Sequence, residues 1–209
     1  MPAIKASRYG LLGVFIFTAS TILGGIQVAG YSHISQLISE SYAMGTPYGF
    51  QLRFFGFLPS GFCFAAFAYY AFKALPPTAY SKFGFMGLGI FYGVATIIVS
   101  LFPCDKDCNK EMVDPSLSQL IHNLTGLLTY LIVPLSVLVL GIAARKWVNA
   151  NYVSIMGIVC GLTAILFVAI FSSDMNSKVA GMYQRIIEGA VLLWIVICAL
   201  YVRSICIKR

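Results

Sequence analysis

The amino-acid sequence predicts an all-α fold, namely a polytopic membrane protein built as a bundle of six transmembrane helices. Three observations predict it: 59% of the 209 residues are hydrophobic, only 10% are charged, and the mean hydropathy is +0.87. Soluble domains carry about 25% charged residues, so this chain has too few charges to cover a water-facing surface. A soluble enzyme, a disordered chain and a secreted disulfide scaffold are therefore excluded.

Six apolar runs have roughly the 20 residues that a helix needs to cross a bilayer. Backbone N–H and C=O groups find no partner in hydrocarbon, so each run must be helical. The short loops leave no room for a separate soluble domain, and residues 1–209 are expected to form a single transmembrane domain. The predicted spans cover about 9–30, 50–75, 83–102, 117–144, 152–172 and 182–202.

Proline and basic residues separate the runs. Pro76 and Pro77 end the second run, and Pro103 ends the third, because proline lacks the backbone N–H that a continuing helix needs. Arg145 and Lys146 end the fourth run. These breaks give loops of the length that joins antiparallel neighbours in a bundle.

Charge predicts the orientation. With the N-terminus in the cytoplasm, nine of the 14 Lys and Arg residues lie on the cytoplasmic side, which is the positive-inside bias. All seven Asp and Glu residues then lie on the other side. Both termini are therefore expected in the cytoplasm, and the net charge of +7 gives no reason to expect a nucleic-acid partner. The expected cytoplasmic residues are Lys5, Arg8, Lys73, Lys82, Arg145, Lys146, Arg203, Lys208 and Arg209.

The segment after the first run is amphipathic. Apolar residues recur at helical spacing from Ile34 to Ile38. This pattern predicts a short helix lying at the membrane interface, and a plain connecting helix with a wet face explains it equally well. The polar residues of the segment are Ser35, Gln36, Ser39 and Glu40.

A polar stripe marks the start of the fourth run. Ser118, His122, Thr125 and Thr129 fall on one helix face, with Asn123 beside them. An ionisable group about one turn into the membrane usually faces the bundle interior or a cavity. His122 and Asn123 are therefore candidate ligand-binding residues, and a satisfied core histidine is the alternative.

Charged residues also begin two spans that start on the outer side. Arg53 opens the second span, and Arg185 and Glu188 are three residues apart in the last, so they can pair. The positive ends of the second, fourth and sixth helices point outward together, which favours an anion such as phosphate or a zwitterionic headgroup. Glu40, Asp105 and Glu188 would instead serve a positive group or a metal ion.

Cys104 and Cys108 are predicted to form a disulfide on the outer side if their Cβ atoms can approach each other. A zinc site is not expected, because no second cysteine pair follows and the chain has only two histidines. The acidic loop that follows lacks the EF-hand spacing. No nucleotide-binding or nucleophile-elbow motif is present, so the sequence predicts neither a metal nor a cofactor.

Three stretches, in this order, resemble one family. Together they are similar to the DUF-998 group of uncharacterised prokaryotic membrane proteins, over about Gly30 to Arg203. The resemblance implies a six-span bundle in the plasma (inner) membrane of a prokaryote and supplies no activity. The stretches are residues 30–40 with 45–47, residues 102–108 with 119–123, and residues 184–186 with Trp194.

One departure concerns the first of these stretches. The family's pattern reads like I-S-x-L-G before the turn, whereas this chain repeats Ile-Ser at Ile34-Ser35 and Ile38-Ser39. Either Ser35 or Ser39 could fill the family's serine position. A fainter likeness to the Frag/DRAM/Sfk group of six-span proteins, which is linked to lipid handling, favours a lipid function by analogy only.

The favoured hypothesis is a membrane protein with an outward-facing polar pocket that binds or senses a lipid headgroup or another small amphiphile. Membrane lipids are then the expected partners, and a homo-oligomer is left open. The candidate ligand-binding residues are Ser35, Ser39, Glu40, Arg53, Asp105, His122, Asn123, Arg185 and Glu188.

Two alternatives remain. In a membrane-embedded hydrolase, His122 would act as the general base and Asp105 or Glu188 would orient it, while Ser39 or a metal-bound water would attack the substrate. In a small-solute or ion transporter, polar groups should continue through the midplane, and the cytoplasmic half of the spans carries almost none. Whether the protein is an enzyme is therefore open at this point.

Overall fold

A computed structural model of the chain describes residues 1–207, and the side chains of residues 1–205. The predicted cytoplasmic residues Lys208 and Arg209 lie outside this range. The part of the chain that the structure describes is helical, with no strand. Six of its helices are long and apolar enough to cross a membrane, which confirms the predicted multi-pass bundle.

The six long helices correspond in order to the six predicted runs, and we number them α1 to α6. Helix α1 begins earlier than predicted, because proline is tolerated in the first turn of a helix, where its missing N–H has no partner to lose. The helices are α1 (Pro2–Gln27), α2 (Gly49–Ala74), α3 (Ala79–Leu101), α4 (Leu117–Lys146), α5 (Asn151–Ser173) and α6 (Ala180–Ile207).

The helices are arranged as a ring in chain order. Each packs mainly on the next, and α1 closes the ring by packing on α6. Each loop joins helix ends on the same side of the bundle, so helices that are consecutive in the chain run in opposite directions. We call the end with the N-terminus and loops 75–78 and 147–150 the closed half, and the end with loops 28–48, 102–116 and 174–179 the cavity half.

The closed half is filled by apolar side chains and close helix contacts. Leu140 and Trp194 are fully buried there. A Cβ atom added to Gly157 would lie 2.6 Å from the Cα atom of Gly141 and 2.6 Å from Nε1 of Trp194. Small residues at such crossings let two backbones approach, which is how helices gain packing contacts inside a membrane.

Two helices carry a widened π-turn on the way into the cavity half. In α2 the turn covers Arg53–Phe57, and in α3 it covers Gly89–Val94. A π-turn rotates the following residues relative to a regular helix and is often found at functional sites. Both turns contain a side chain of the cavity wall, Phe57 in α2 and Tyr92 in α3.

The segment between α1 and α2 differs from the predicted amphipathic helix over residues 31–40. It forms turns, followed by a 3₁₀ helix at Ile38–Tyr42 whose five residues are all buried. The reason is that α6 supplies the backbone partners of this segment. Arg185 donates to the carbonyl groups of His33 and Gln36, and the side-chain oxygen of Gln184 accepts from the N–H of Ile38.

Candidate functional site

A cavity of about 480 Å³ lies in the middle of the ring, in the cavity half. All six helices contribute to its wall, as do the 3₁₀ helix at Ile38–Tyr42 and the loop that contains Cys108 and Lys110. Most of the wall is apolar, and a few polar groups point inward. This size and composition are typical of small-molecule sites, which usually measure about 300–1,000 Å³.

Aromatic rings form one side of the cavity. Phe17, Tyr42, Phe57 and Tyr92 come from four different parts of the chain and contact one another. The ring centres of Tyr42 and Phe57 are 4.5 Å apart, and those of Phe17 and Phe57 are 5.3 Å apart in an edge-to-face arrangement. These packed rings hold each other in place, so this side of the cavity is rigid.

Glu188 is the acidic group in the deep part of the cavity. The Tyr92 hydroxyl lies 2.8 Å from one carboxylate oxygen of Glu188, and the Tyr130 hydroxyl lies 3.2 Å from the other. Glu188 is only partly buried, since its side chain also lines the cavity. In the part of the cavity half that the structure describes, no basic side chain pairs with Glu188.

The backbone N–H of Ile38 determines the direction of the hydrogen bonds that run from Gln184 through Tyr130 to Glu188. The N–H of Ile38 can only donate, so the group that it meets 2.7 Å away is the side-chain oxygen of Gln184. The amide nitrogen of Gln184 therefore donates to the Tyr130 hydroxyl, at 2.8 Å. The Tyr130 hydroxyl then donates its own hydrogen to Glu188, so both carboxylate oxygens accept a hydrogen bond.

An ion pair lies at the rim of the cavity. Nζ of Lys110, which lines the cavity, lies 2.7 Å from a carboxylate oxygen of Glu40. The same carboxylate accepts from the N–H of Leu37 and from the side-chain amide of Gln36. Glu40 is buried by these contacts, so it holds the 3₁₀ helix against the loop, and its charge is already compensated by Lys110.

Three other predicted site residues also line the cavity: Ser39, His122 and Asn123. Nδ1 of His122 lies 3.1 Å from the carbonyl oxygen of Phe102. A carbonyl can only accept, so Nδ1 carries the hydrogen and Nε2 is the basic nitrogen of the ring. Asn123 accepts a hydrogen bond from Gln119, a fully buried side chain that also accepts from the N–H of Asp105.

The sulfur atoms of Cys104 and Cys108 lie at disulfide distance, with Cα atoms 4.8 Å apart, which confirms the predicted pairing. This link lies next to the 3₁₀ helix, since Oγ of Ser39 is 3.3 Å from Sγ of Cys108. The N–H of Met44 also donates to the carbonyl of Cys104, at 2.9 Å. The two loops therefore form one rim above the cavity.

Arg185 does not reach the cavity. Its guanidinium donates to the carbonyl groups of His33, Gln36 and Gly181 and to the Tyr31 hydroxyl, all between 2.7 and 2.9 Å. The spacing of Arg185 and Glu188 allowed an ion pair, and none is found between them among the described residues, because the two side chains face different surroundings. Partial burial and then the charge of Arg185 lower the pKa of His33.

Arg53, Asp105 and Ser35 also lie outside the cavity wall. Arg53 donates to the carbonyl oxygen of Tyr42, at 2.7 Å. Asp105 accepts from the hydroxyl and the N–H of Ser116, the residue before α4, and these hydrogen bonds lower the pKa of Asp105. The N–H of Ser35 bonds within its own turn, to the Ser32 hydroxyl. The expected convergence of Arg53, Asp105 and Arg185 on one pocket with His122 is not found.

Sequence reasoning missed the tyrosines that surround Glu188. Tyr92 and Tyr130 are embedded in ordinary apolar runs, and nothing in the sequence separates them from membrane-interface tyrosines. Glu188 could have indicated these tyrosines, because a carboxylate within a span needs hydrogen-bond donors at the same depth of the membrane. The hydroxyl groups of Tyr92 in α3 and Tyr130 in α4 supply those donors.

One protein family matches the chain. The family described as "Protein of unknown function (DUF998)" matches residues 11–201, which cover most of the chain and the whole cavity wall. Comparisons with curated proteins and with solved structures found no match.

Proposed function

The chain belongs to the DUF998 family, whose members are proteins of unknown function, and we propose that it binds or senses a lipid headgroup or another small amphiphile. The observation that carries the proposal is the cavity itself. It is mostly apolar, it holds a few polar groups at its deep end and rim, and it lies within a bundle of membrane-spanning helices.

The side of the cavity between α4 and α5 supports an amphiphile rather than a small polar solute. Leu127 and Leu131 of α4 line the cavity and are 57% and 52% exposed on the bundle surface. On the α5 side, Val168 and Phe171 face the same space. In a membrane, exposed side chains of this kind contact acyl chains, which favours a ligand with an apolar tail on this side of the cavity.

The proposed orientation follows the distribution of Lys and Arg. The positive-inside rule assigns the closed half, with both termini, to the cytoplasm, and the cavity half to the outside. The family resemblance favours the plasma membrane of a prokaryote. In this orientation, the 3₁₀ helix at Ile38–Tyr42 lies at the outer interface, and the cavity receives ligands from the outer leaflet or the medium.

The hydrolase alternative lacks its supporting geometry. Asp105 bonds to Ser116 and not to His122, and the partner of Nδ1 in His122 is a backbone carbonyl. A carboxylate that orients the proposed base is therefore missing among the described residues. The transporter alternative would need a path through the closed half, and fully buried side chains such as Leu140 and Trp194 fill that half.

The proposal can be tested by filling the cavity. Gly126 lines the cavity, and a Cβ atom added there meets nothing within 4 Å, so Gly126→Phe should place a ring in open space without a clash. Gly189→Phe is the matched control, because Gly189 has equally free surroundings and lies outside the cavity wall.

The measurement is native mass spectrometry of protein released from nanodiscs of mixed phosphatidylethanolamine and phosphatidylglycerol. We expect the wild type and Gly189→Phe to retain lipid, and Gly126→Phe to lose most of it. No retained lipid on the wild type, or equal retention by all three proteins, would overturn the proposal.

A further inference from the structure

The cavity also indicates which class of amphiphile it takes. We infer that the ligand carries a positively charged ammonium group at the end of an apolar tail, and that this group lies against the carboxylate of Glu188. The inference rests on the proposed function, because it names the ligand of the same cavity. The sequence left both an anion and a positive group open as ligands, and the inference selects the positive group.

The first step is the charge of the cavity. Tyr92 and Tyr130 donate hydrogen bonds to the Glu188 carboxylate, and such bonds favour its ionised form, which is the form that pairs with a cation. In the described part of the cavity half, the one ion pair is between Lys110 and Glu40 at the rim, and these two charges cancel. The deep end of the cavity therefore holds a carboxylate that has no cationic partner among the described residues.

The second step is the position of the arginines. Binding of an anion was expected because Arg53 and Arg185 begin two outward-pointing helices. Neither arginine lines the cavity, and both guanidinium groups instead bond to backbone carbonyls, Arg53 to that of Tyr42 and Arg185 to those of His33 and Gln36. A phosphate placed at the deep end of the cavity would meet the carboxylate of Glu188 and no cationic side chain of the described residues.

The third step is the aromatic side of the cavity. Phe17, Tyr42, Phe57 and Tyr92 surround the same space that Glu188 faces. The faces of aromatic rings attract organic cations, and ammonium groups are commonly held by several rings at once. Burial raises the pKa of Tyr42, and the charge of Glu188 raises it further, so this ring stays neutral beside the carboxylate.

The fourth step is the depth of the acid. Glu188 lies two turns into α6, about 12 Å from its first residue at 1.5 Å per residue. A cation at this depth is surrounded by membrane-spanning helices. The exposed Leu127 and Leu131 lie on α4 next to Tyr130, so an apolar tail attached to the cation can leave the cavity sideways, towards lipid.

The test uses three probes with the same tail: dodecylamine, dodecanol and dodecanoate. Each is titrated onto the purified full-length protein at neutral pH, and binding is read by native mass spectrometry. We expect the wild type to bind dodecylamine at least about tenfold more tightly than dodecanol, a ratio that one buried charge pair commonly supplies. Dodecanoate should bind more weakly than both.

Two variants assign the preference to Glu188. Glu188→Gln keeps the shape of the side chain and removes its charge, and it should bring the amine-to-alcohol ratio to within about threefold, since only the charge interaction is lost. Asp174→Asn removes an exposed acid outside the cavity wall and should leave the ratio unchanged. If Glu188→Gln fails to fold, the amine-to-alcohol binding ratio of the wild type still tests whether the cavity prefers a cation.

The outcomes separate the two proposals. If all three probes fail to bind, or if Gly126→Phe does not block them, the proposed function fails. If the probes bind in the cavity without preference for the amine, or with preference for dodecanoate, only the cationic ligand is overturned. If ethylamine binds as tightly as dodecylamine, the site takes a soluble amine, and the inference that the ligand is an amphiphile is overturned.

Discussion

The two halves of α4 show how differently the two ends of this bundle are built. From Val133 onward, the helix buries seven residues of its α-helical part against its neighbours, whereas before Val133 it buries only Gln119 and His122. The same helix therefore takes part in a solid core at one end and in the wall of a cavity at the other. In the closed half, close packing is produced by small and apolar side chains. In the cavity half, polar side chains instead join the loops and helices through hydrogen bonds around a cavity.

The comparison teaches that polar residues in the cavity half have two separate tasks. Arg185, Gln184 and Glu40 bond to backbone groups and keep the 3₁₀ helix and its loop in place. Glu188 and His122 instead face the cavity. A polar residue near the cavity-half end of a span is therefore not by itself a ligand-binding residue, since an unpaired backbone group competes for it.

The largest expected effect is the difference in stability loss between two single truncations, one of a leucine in each half of α4. Leu140→Ala should destabilise the protein by about 2–4 kcal/mol, because Leu140 is fully buried and the truncation leaves a void. Leu131→Ala should cost less than about 1 kcal/mol, because lipid replaces the lost contacts of an exposed side chain. Reversible unfolding in mixed detergent measures both, and equal losses would refute the contrast between the halves.

A somewhat smaller effect is expected when a methyl group is added at a helix crossing. Gly157→Ala forces a Cβ atom to within 2.6 Å of the Cα atom of Gly141, and overpacking of this kind costs about 1–3 kcal/mol. Gly189→Ala, at a position with free surroundings, should change stability by less than about 0.5 kcal/mol. The same unfolding assay applies, and a neutral Gly157→Ala would show that the closed half is looser than described.

The smallest effect concerns acid sensitivity at the rim of the cavity half. Hydrogen bonds from Ser116 lower the pKa of Asp105 in the folded state. Its contribution to stability is therefore present above the ordinary aspartate pKa of about 3.9 and is lost as the pH falls through the lowered folded value. Asp105→Asn should reduce stability at neutral pH and remove this part of the acid dependence.

The measurement for Asp105 is the thermal midpoint of the detergent-solubilised protein between neutral pH and about pH 3. Asp114→Asn is the control, because Asp114 is an exposed acid of the same loop. If both variants follow the wild-type curve, the hydrogen bonds from Ser116 do not contribute to stability.

The loop after α1 shows where sequence reasoning stopped. The spacing of Ile34, Leu37 and Ile38 predicted an amphipathic helix, yet the segment folds as turns and a buried 3₁₀ helix. The side chains that decide this, Gln184 and Arg185, lie almost 150 positions later in the chain. A local pattern cannot include such partners, because contacts between distant segments compete with the local hydrogen bonds of a helix.

The sequence by itself determined the class of this protein and its six spans, because hydrocarbon forces long apolar runs into helices. It also predicted the pairing of Cys104 with Cys108, because the two cysteines are near neighbours in the chain. Only the tertiary structure decided which polar groups meet. It directed Arg185 to the loop, where the carbonyl groups of His33 and Gln36 accept from its guanidinium. It directed Glu188 to the cavity, where the hydroxyl groups of Tyr92 and Tyr130 donate to its carboxylate.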